Sequence, residues 1–216
     1  MNSLEDVELN LPMDTMSILN KFLLEKEERE RKEQDRILAK TGTSSMFEED
    51  WQLSQFWYSN NTRTALGKVV KKLLGPDAQV ALLSCPSLYK TIKDMHDHVR
   101  LFEFDKRFSI FGDDFIHYDF NEAFCEPEYF IHHTAIYDII IADPPFLSEE
   151  CITKTAHIIK KLMKPCAKLV FCSGEIVGPW IAKYLYLKPY NFRPEHERNL
   201  ANEFVCYANF NIDELL

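Results

Sequence analysis

The chain has 216 residues, with 25 lysines and arginines against 34 aspartates and glutamates, a formal net charge of −9. Hydrophobic residues make up 46% and aromatics 13%, enough for one real core, so the length predicts one main domain with a short appendage and excludes a wholly disordered chain. The acidity argues against a general nucleic-acid binder, because the molecule as a whole repels phosphates at long range.

The first fifty residues differ from the rest. Residues 16–40 lack glycine and proline, and acids stand four before bases (Glu25 and Arg29, Glu27 and Arg31, Glu28 and Lys32), which favours a solvated helix. Asp14, Thr15 or Ser17 can cap its start, and Gly42 follows its end. Its middle has no apolar stripe, so residues 1–44 read as a charged helical extension and residues 45–216 as the domain. Leu66, Val69, Val70, Leu73 and Leu74 then mark a helix face that Gly75 and Pro76 stop. Residues 79–84 (QVALLS) predict a buried strand, and Ser87 caps a helix running to about Met95. Residues 99–104 (VRLFEF), 115–118 (FIHY) and 137–142 (YDIIIA) predict three more strands.

Ser148 opens a helix running to Met163. Glu149 and Glu150 lie in its first turn and Lys160, Lys161 and Lys164 at its end, matching the helix dipole, and Pro165 ends it. Residues 168–172 (KLVFC) predict a fifth strand, Gly178-Pro179 a further helix start, and residues 186–192 and 203–210 two closing strands. Strands alternating with helices imply a mainly parallel, doubly wound α/β sheet, and continuous apolar runs imply strands covered on both faces. Ligands of such sheets lie beyond the carboxyl ends of the strands.

At those ends stand the candidate site residues. The strand at 137–142 runs into Asp143-Pro144-Pro145-Phe146. Two prolines fix the backbone and remove two N–H groups, so the Pro144 carbonyl and the Asp143 carboxylate form an acceptor pair for a substrate amino group. Phe146 adds a ring that stacks on a planar base or meets an ammonium. Prolines are common in turns; this set, directly after three isoleucines and before a capped helix, reads as functional. The second strand ends near Asp105, a carboxylate placed to accept ribose hydroxyls, with Glu103 a competitor one or two residues away. After the third strand, Asp119 can accept from an adenine amino group. Gln55-Phe56-Trp57-Tyr58 reads either as aromatic packing of the arm onto the core or as a cofactor lid with Tyr58 in contact. The turn after the first strand, Ser84-Cys85-Pro86-Ser87, carries no glycine loop, which argues against NAD, FAD and nucleoside triphosphates and leaves a cofactor without phosphate, such as S-adenosylmethionine.

With these motifs the chain resembles the class I, seven-stranded S-adenosylmethionine-dependent methyltransferases, whose [DN]-P-P-[FY] signature serves enzymes that methylate amino nitrogens. LLSCPSLY at 83–90, FEFDKRF at 102–108, HYDFN at 117–121 and IIADPPFLSEEC at 140–151 resemble the family of eukaryotic lysine methyltransferases acting on translation elongation factor 1-alpha, formerly labelled an N6-adenine DNA methyltransferase. The resemblance implies a Rossmann-like sheet with an antiparallel last strand. It also implies Asp105 at the ribose, Asp119 at the adenine, Ser84, Cys85 and Pro86 at the methionine end, Asp143 to Phe146 around the target nitrogen, and elongation factor 1-alpha as protein partner. Adenine N6 methylation of DNA or RNA is the alternative that the same motif allows. It needs a cationic track, for which only Lys68, Lys71 and Lys72 on one helix offer themselves. A non-catalytic adaptor is the third reading.

Six cysteines, at 85, 125, 151, 166, 172 and 206, form no CxxC pair, which fits reduced thiols in a cytoplasmic protein. His96 with His98, and His132 with His133, lack a third ligand at metal spacing, so no metal is expected. The amino-terminal residues do not read as a signal peptide, and no apolar run has the length of a membrane span.

Overall fold

In the computed structural model of the chain, residues 47–126, 128–198 and 203–216 are described; the helix expected over 16–40 lies outside them. The chain divides into Met1–Glu48 and Glu49–Leu216, and the second unit holds the sheet.

Seven strands form one sheet: β1 (Val80–Leu83), β2 (Val99–Glu103), β3 (Phe115–His117), β4 (Tyr137–Ala142), β5 (Met163–Gly174), β6 (Lys188–Pro189) and β7 (Phe204–Ala208). Their order is β3-β2-β1-β4-β5-β7-β6. The strands from β3 to β5 run parallel, and β7 is antiparallel to both β5 and β6. The α/β sheet and its reversed last strand are as expected from the sequence. Among the described residues five α-helices accompany it: α1 (Asn60–Leu73), α2 (Tyr89–Lys93), α3 (Phe120–Cys125), α4 (Glu149–Leu162) and α5 (Gly178–Leu185).

The apolar runs have the physical reason anticipated for them. Ala81, Leu83, Phe102, Ile140, Ala142 and Phe171 pack with Ile152, Ala156 and Ile159 of α4 and Ile181 of α5. The alternate residues Val80, Leu82, Leu101, Ile139, Ile141 and Val170 are just as buried, so the opposite face is covered too. Helix α4 starts where Ser148 accepts from the Cys151 N–H, with Glu149 and Glu150 in its first turn and Lys160 and Lys161 in its last.

Four local features depart from expectation. Helix α4 runs directly into β5 at Met163, five residues before the predicted strand start, and Pro165 sits in a register shift of the β4–β5 ladder. Strand β6 shrinks to two residues, because Tyr186 takes a left-handed φ of 56° to end α5 and Pro189 has no N–H for the ladder. Residues Lys106–Asp114 form 3₁₀ turns broken at Gly112, whose φ is 60°, and Phe120–Cys125 a short α-helix, all too short for an apolar period to reveal. The helix expected from Ser87 is a 3₁₀ turn, Pro86–Leu88, followed by the single α turn of α2.

Candidate active site

Strand register brings the predicted strand ends together. Leu83 pairs with Phe102 of β2 on one side and Ala142 of β4 on the other. Beyond the paired residues, hydrogen bonds continue across the sheet end. The Ser84 N–H donates to the Phe102 carbonyl (2.9 Å), the Asp143 N–H to the Leu83 carbonyl (3.0 Å) and the Tyr118 N–H to the Glu103 carbonyl (3.0 Å). Four consecutive strands thus present Asp119, Glu103, Ser84 and Asp143 in a row, at the point where strand order reverses around β1.

Two adjoining cavities lie over that row. The first, about 190 Å³, is bordered by Glu103, Phe104, Tyr118, Asp119, Phe120, Asn121 and Phe146. The second, about 250 Å³, is bordered by Phe56, Pro86, Pro144, Leu147, His196 and Phe204. Ser54, Gln55, Ser84, Asp143 and Pro145 border both. No lysine or arginine among the described residues borders either one.

Asp143 is the hinge of the arrangement. Burial pushes its carboxyl up to about 7, a shift that the Tyr58 hydroxyl nearby opposes only in part. Pro144 is buried with its edge on the second cavity, and Phe146, 45% exposed, meets the edge of Phe120 at 6.0 Å over the first. The Asp-Pro-Pro-Phe turn therefore straddles an open cleft rather than lying in the packed interior.

The ribose candidates separate. Glu103, the last residue of β2, borders the first cavity; its Oε1 accepts the N–H groups of Phe104 and Asp105 (both 3.1 Å), and burial pushes its pKa up to about 7. Asp105 borders neither cavity. It caps the following 3₁₀ helix through the Arg107 N–H, pairs with the Arg107 guanidinium at 2.7 Å and accepts from Gln55 Nε2 at 3.3 Å. The structure departs from the sequence-based choice here: the Asp105 carboxylate is engaged by Arg107 and borders neither cavity, whereas the competing Glu103 borders the first.

Asp119 borders the first cavity while one of its oxygens accepts from the Asn121 N–H at 2.7 Å. Ser84 adopts φ of 53°, the left-handed region that glycine favours. The turn thus keeps a glycine-like conformation without glycine, and the serine at its start borders both cavities. Pro86 borders the second cavity, but Cys85 borders neither: its thiol is buried and donates to the Ile141 carbonyl at 3.4 Å. Tyr58 is also off the cleft. It is 1% exposed, its hydroxyl has no partner within hydrogen-bond distance, and burial with the nearby Asp143 charge raises its pKa well above the phenol range. Both were expected at a cofactor; both are buried and border neither cavity.

Several bordering residues escaped the sequence reading. Ser54, with φ of 52°, closes the cleft from the segment before α1, beside the buried Gln55 of the predicted aromatic stretch, and His196 and Phe204 come from residues far along the chain. Only the aromatic run around Phe56 offered a signal for that wall.

An α/β sheet of this order with a reversed β7, a carboxylate closing β2 and an Asp-Pro-Pro-Phe turn after β4 defines a class I methyltransferase. The chain belongs to the family described as "Probable N6-adenine methyltransferase", whose sequence model matches residues 49–212. It is 54% identical to a protein-lysine N-methyltransferase of Drosophila melanogaster, covering 98% of each chain. It is 39% identical to the EEF1A lysine methyltransferase 1 of Homo sapiens, over 97% of this chain and 96% of that one. Among solved structures it is similar to the fibrillarin of Aeropyrum pernix with natively bound S-adenosyl-L-methionine, at 15% identity and a TM-score of 0.47, over 68% of this chain and 76% of that one.

Proposed function

We propose that the chain is a protein-lysine N-methyltransferase that uses S-adenosylmethionine and acts on translation elongation factor 1-alpha in the cytoplasm. The observation that carries this reading is the charge of the cleft. Glu103, Asp119 and Asp143 border the first cavity, and among the described residues no lysine or arginine borders either. Such a site attracts cations and repels phosphates. An ammonium and a sulfonium fit it; a polynucleotide backbone does not. Lys68, Lys71 and Lys72 lie toward the end of α1, just before β1 begins, hence at the opposite end of the sheet from the cleft. The names of the relatives support a lysine acceptor, and the free thiols support a reducing compartment.

The residues fit the cofactor. Glu103 would accept ribose hydroxyls, Asp119 an adenine amino group beside Phe104 and Phe120, and Ser84, which borders both cavities, would meet the methionine end. The bound cofactor supplies an activated methyl on sulfur, so the protein has mainly to position and to handle a proton. An ammonium has no lone pair. Asp143 draws it in, and the incoming charge favours the carboxylate form of a group otherwise poised near 7. The lysine proton then leaves to solvent or through Asp143, and the Asp143 and Pro144 oxygens hold the remaining N–H groups. The rate is expected to climb as pH rises from neutral, because free lysine has a pKa of roughly 10.4.

Incubation with methyl-labelled cofactor, elongation factor 1-alpha and separate DNA and RNA pools tests the reading. Label is expected on a lysine of the protein; label on adenine replaces this function with adenine N6 methylation.

A further inference from the structure

The second cavity is more than the first one's margin. Phe56, Leu147, His196 and Phe204 border it and not the adenine side of the cleft. The His196 imidazole stands among rings, its centroid 4.5 Å from Phe204, 5.1 Å from Tyr58 and 6.5 Å from Phe56. A backbone bridge between Tyr58 and His196 holds it there. Ring packing surrounds the imidazole, and the Glu49 carboxylate acts on it electrostatically, opposing the effect of burial in part. Burial pushes its pKa down to about 4, which leaves it uncharged at neutral pH and no obstacle to a cation.

A recess with aromatic walls and a carboxylate at one side matches an alkylammonium chain. The methylenes bury against rings, and the cationic tip is attracted both by ring faces and by Asp143. An adenine has no aliphatic chain to place there. We propose that the recess receives the side chain of the acceptor lysine, its methylenes along Phe56, His196 and Phe204 and its nitrogen at Asp143, and that the His196 ring determines acceptor specificity. The inference rests on the lysine reading above and adds the residues that select for it.

The test measures KM and kcat on elongation factor 1-alpha, and the dissociation constant of S-adenosylhomocysteine by calorimetry, for wild type, His196→Ala, Phe204→Ala and His196→Phe. Each alanine variant is expected to raise the acceptor KM at least tenfold, with a smaller effect on kcat and cofactor binding within twofold of wild type. His196→Phe is expected to restore KM to within threefold, because the ring wall returns. Leu147→Trp fills the recess from another wall and is expected to raise KM even if a His196 variant fails to fold. Unchanged KM in the alanine and tryptophan variants overturns the assignment. So does a parallel loss of S-adenosylhomocysteine affinity, which would give the recess to the methionine end of the cofactor. Wild type that binds S-adenosylhomocysteine but methylates no lysine overturns the functional reading and this inference together; active wild type with indifferent variants overturns this inference alone.

Discussion

Two carboxylates two residues apart, Glu103 and Asp105, have opposite fates. Asp105 faces the Arg107 guanidinium and Gln55, and its negative charge is spent inside the protein. Glu103 receives two backbone N–H groups on one oxygen and turns toward the first cavity. Hydrogen bonds to a charged group contribute about 1.5–3 kcal/mol, or roughly ten- to a hundredfold in affinity. Glu103→Gln is therefore expected to weaken S-adenosylhomocysteine binding at least about tenfold, as read by calorimetry. Asp105→Asn is expected to change binding little and to lower the urea midpoint, because the 2.7 Å ion pair with Arg107 is lost. The reverse order of affinities would return the ribose to Asp105. The sequence narrowed the choice to these two acids; which one faces the cleft depends on where β2 stops pairing, and a strand end is not marked in the residues that form it.

The turn after β1 shows how an element can preserve a conformation while losing its usual residue. Ser84 holds φ of 53° where glycine would be unstrained, and Ser54 on the facing segment holds 52°. Left-handed backbone at a non-glycine residue costs about 1–3 kcal/mol, and such positions concentrate at ligand sites. Ser84→Gly is expected to fold at least as stably as wild type, the relieved strain offsetting the greater freedom of the unfolded chain. Ser84→Val adds a β-branch to the same backbone and is expected to lose about 1–3 kcal/mol in denaturant unfolding. Equal stability of the two variants would show that the backbone there relaxes freely. The missing glycines had argued against pyrophosphate cofactors; the retained turn geometry could not be read from Ser-Cys-Pro-Ser. Capped helices and apolar strands were legible because their signals are local, as at Ser148 and in the isoleucines of β4. The two-residue β6 was not, since its pairing depends on β7.

For the molecule as a whole, the cleft is a stability cost that function requires. Asp143 and Glu103 keep their protons up to about 7 in the folded chain, against roughly 4 for carboxyls in an unfolded one. Between those values the folded state binds more protons, so stability is greater on the acid side and falls as pH rises from about 4 towards 7. Above 7 the cost of two buried charges is fully present. The thermal midpoint of the ligand-free protein is expected to fall between about pH 5.5 and pH 8. Asp143→Asn, whose amide cannot ionise, is expected to flatten that fall, to be more stable than wild type at pH 8 and to be inactive. Identical pH profiles of wild type and variant would locate the cost elsewhere.

Patterns of a few neighbouring residues were enough to announce an α/β sheet, the Asp-Pro-Pro-Phe turn, the acid after β3 and an amino-nitrogen chemistry, because each is written in contiguous residues. Strand order, and with it the convergence of Asp119, Glu103, Ser84 and Asp143, arises from pairing between segments tens of residues apart. The same holds for Cys85 and Tyr58, which are buried off both cavities, and for His196 and Phe204, which reach the cleft from late in the chain. Burial and side-chain direction are properties of the packed whole: a residue's type states what chemistry it can do, and its neighbours in space decide whether that chemistry meets a ligand.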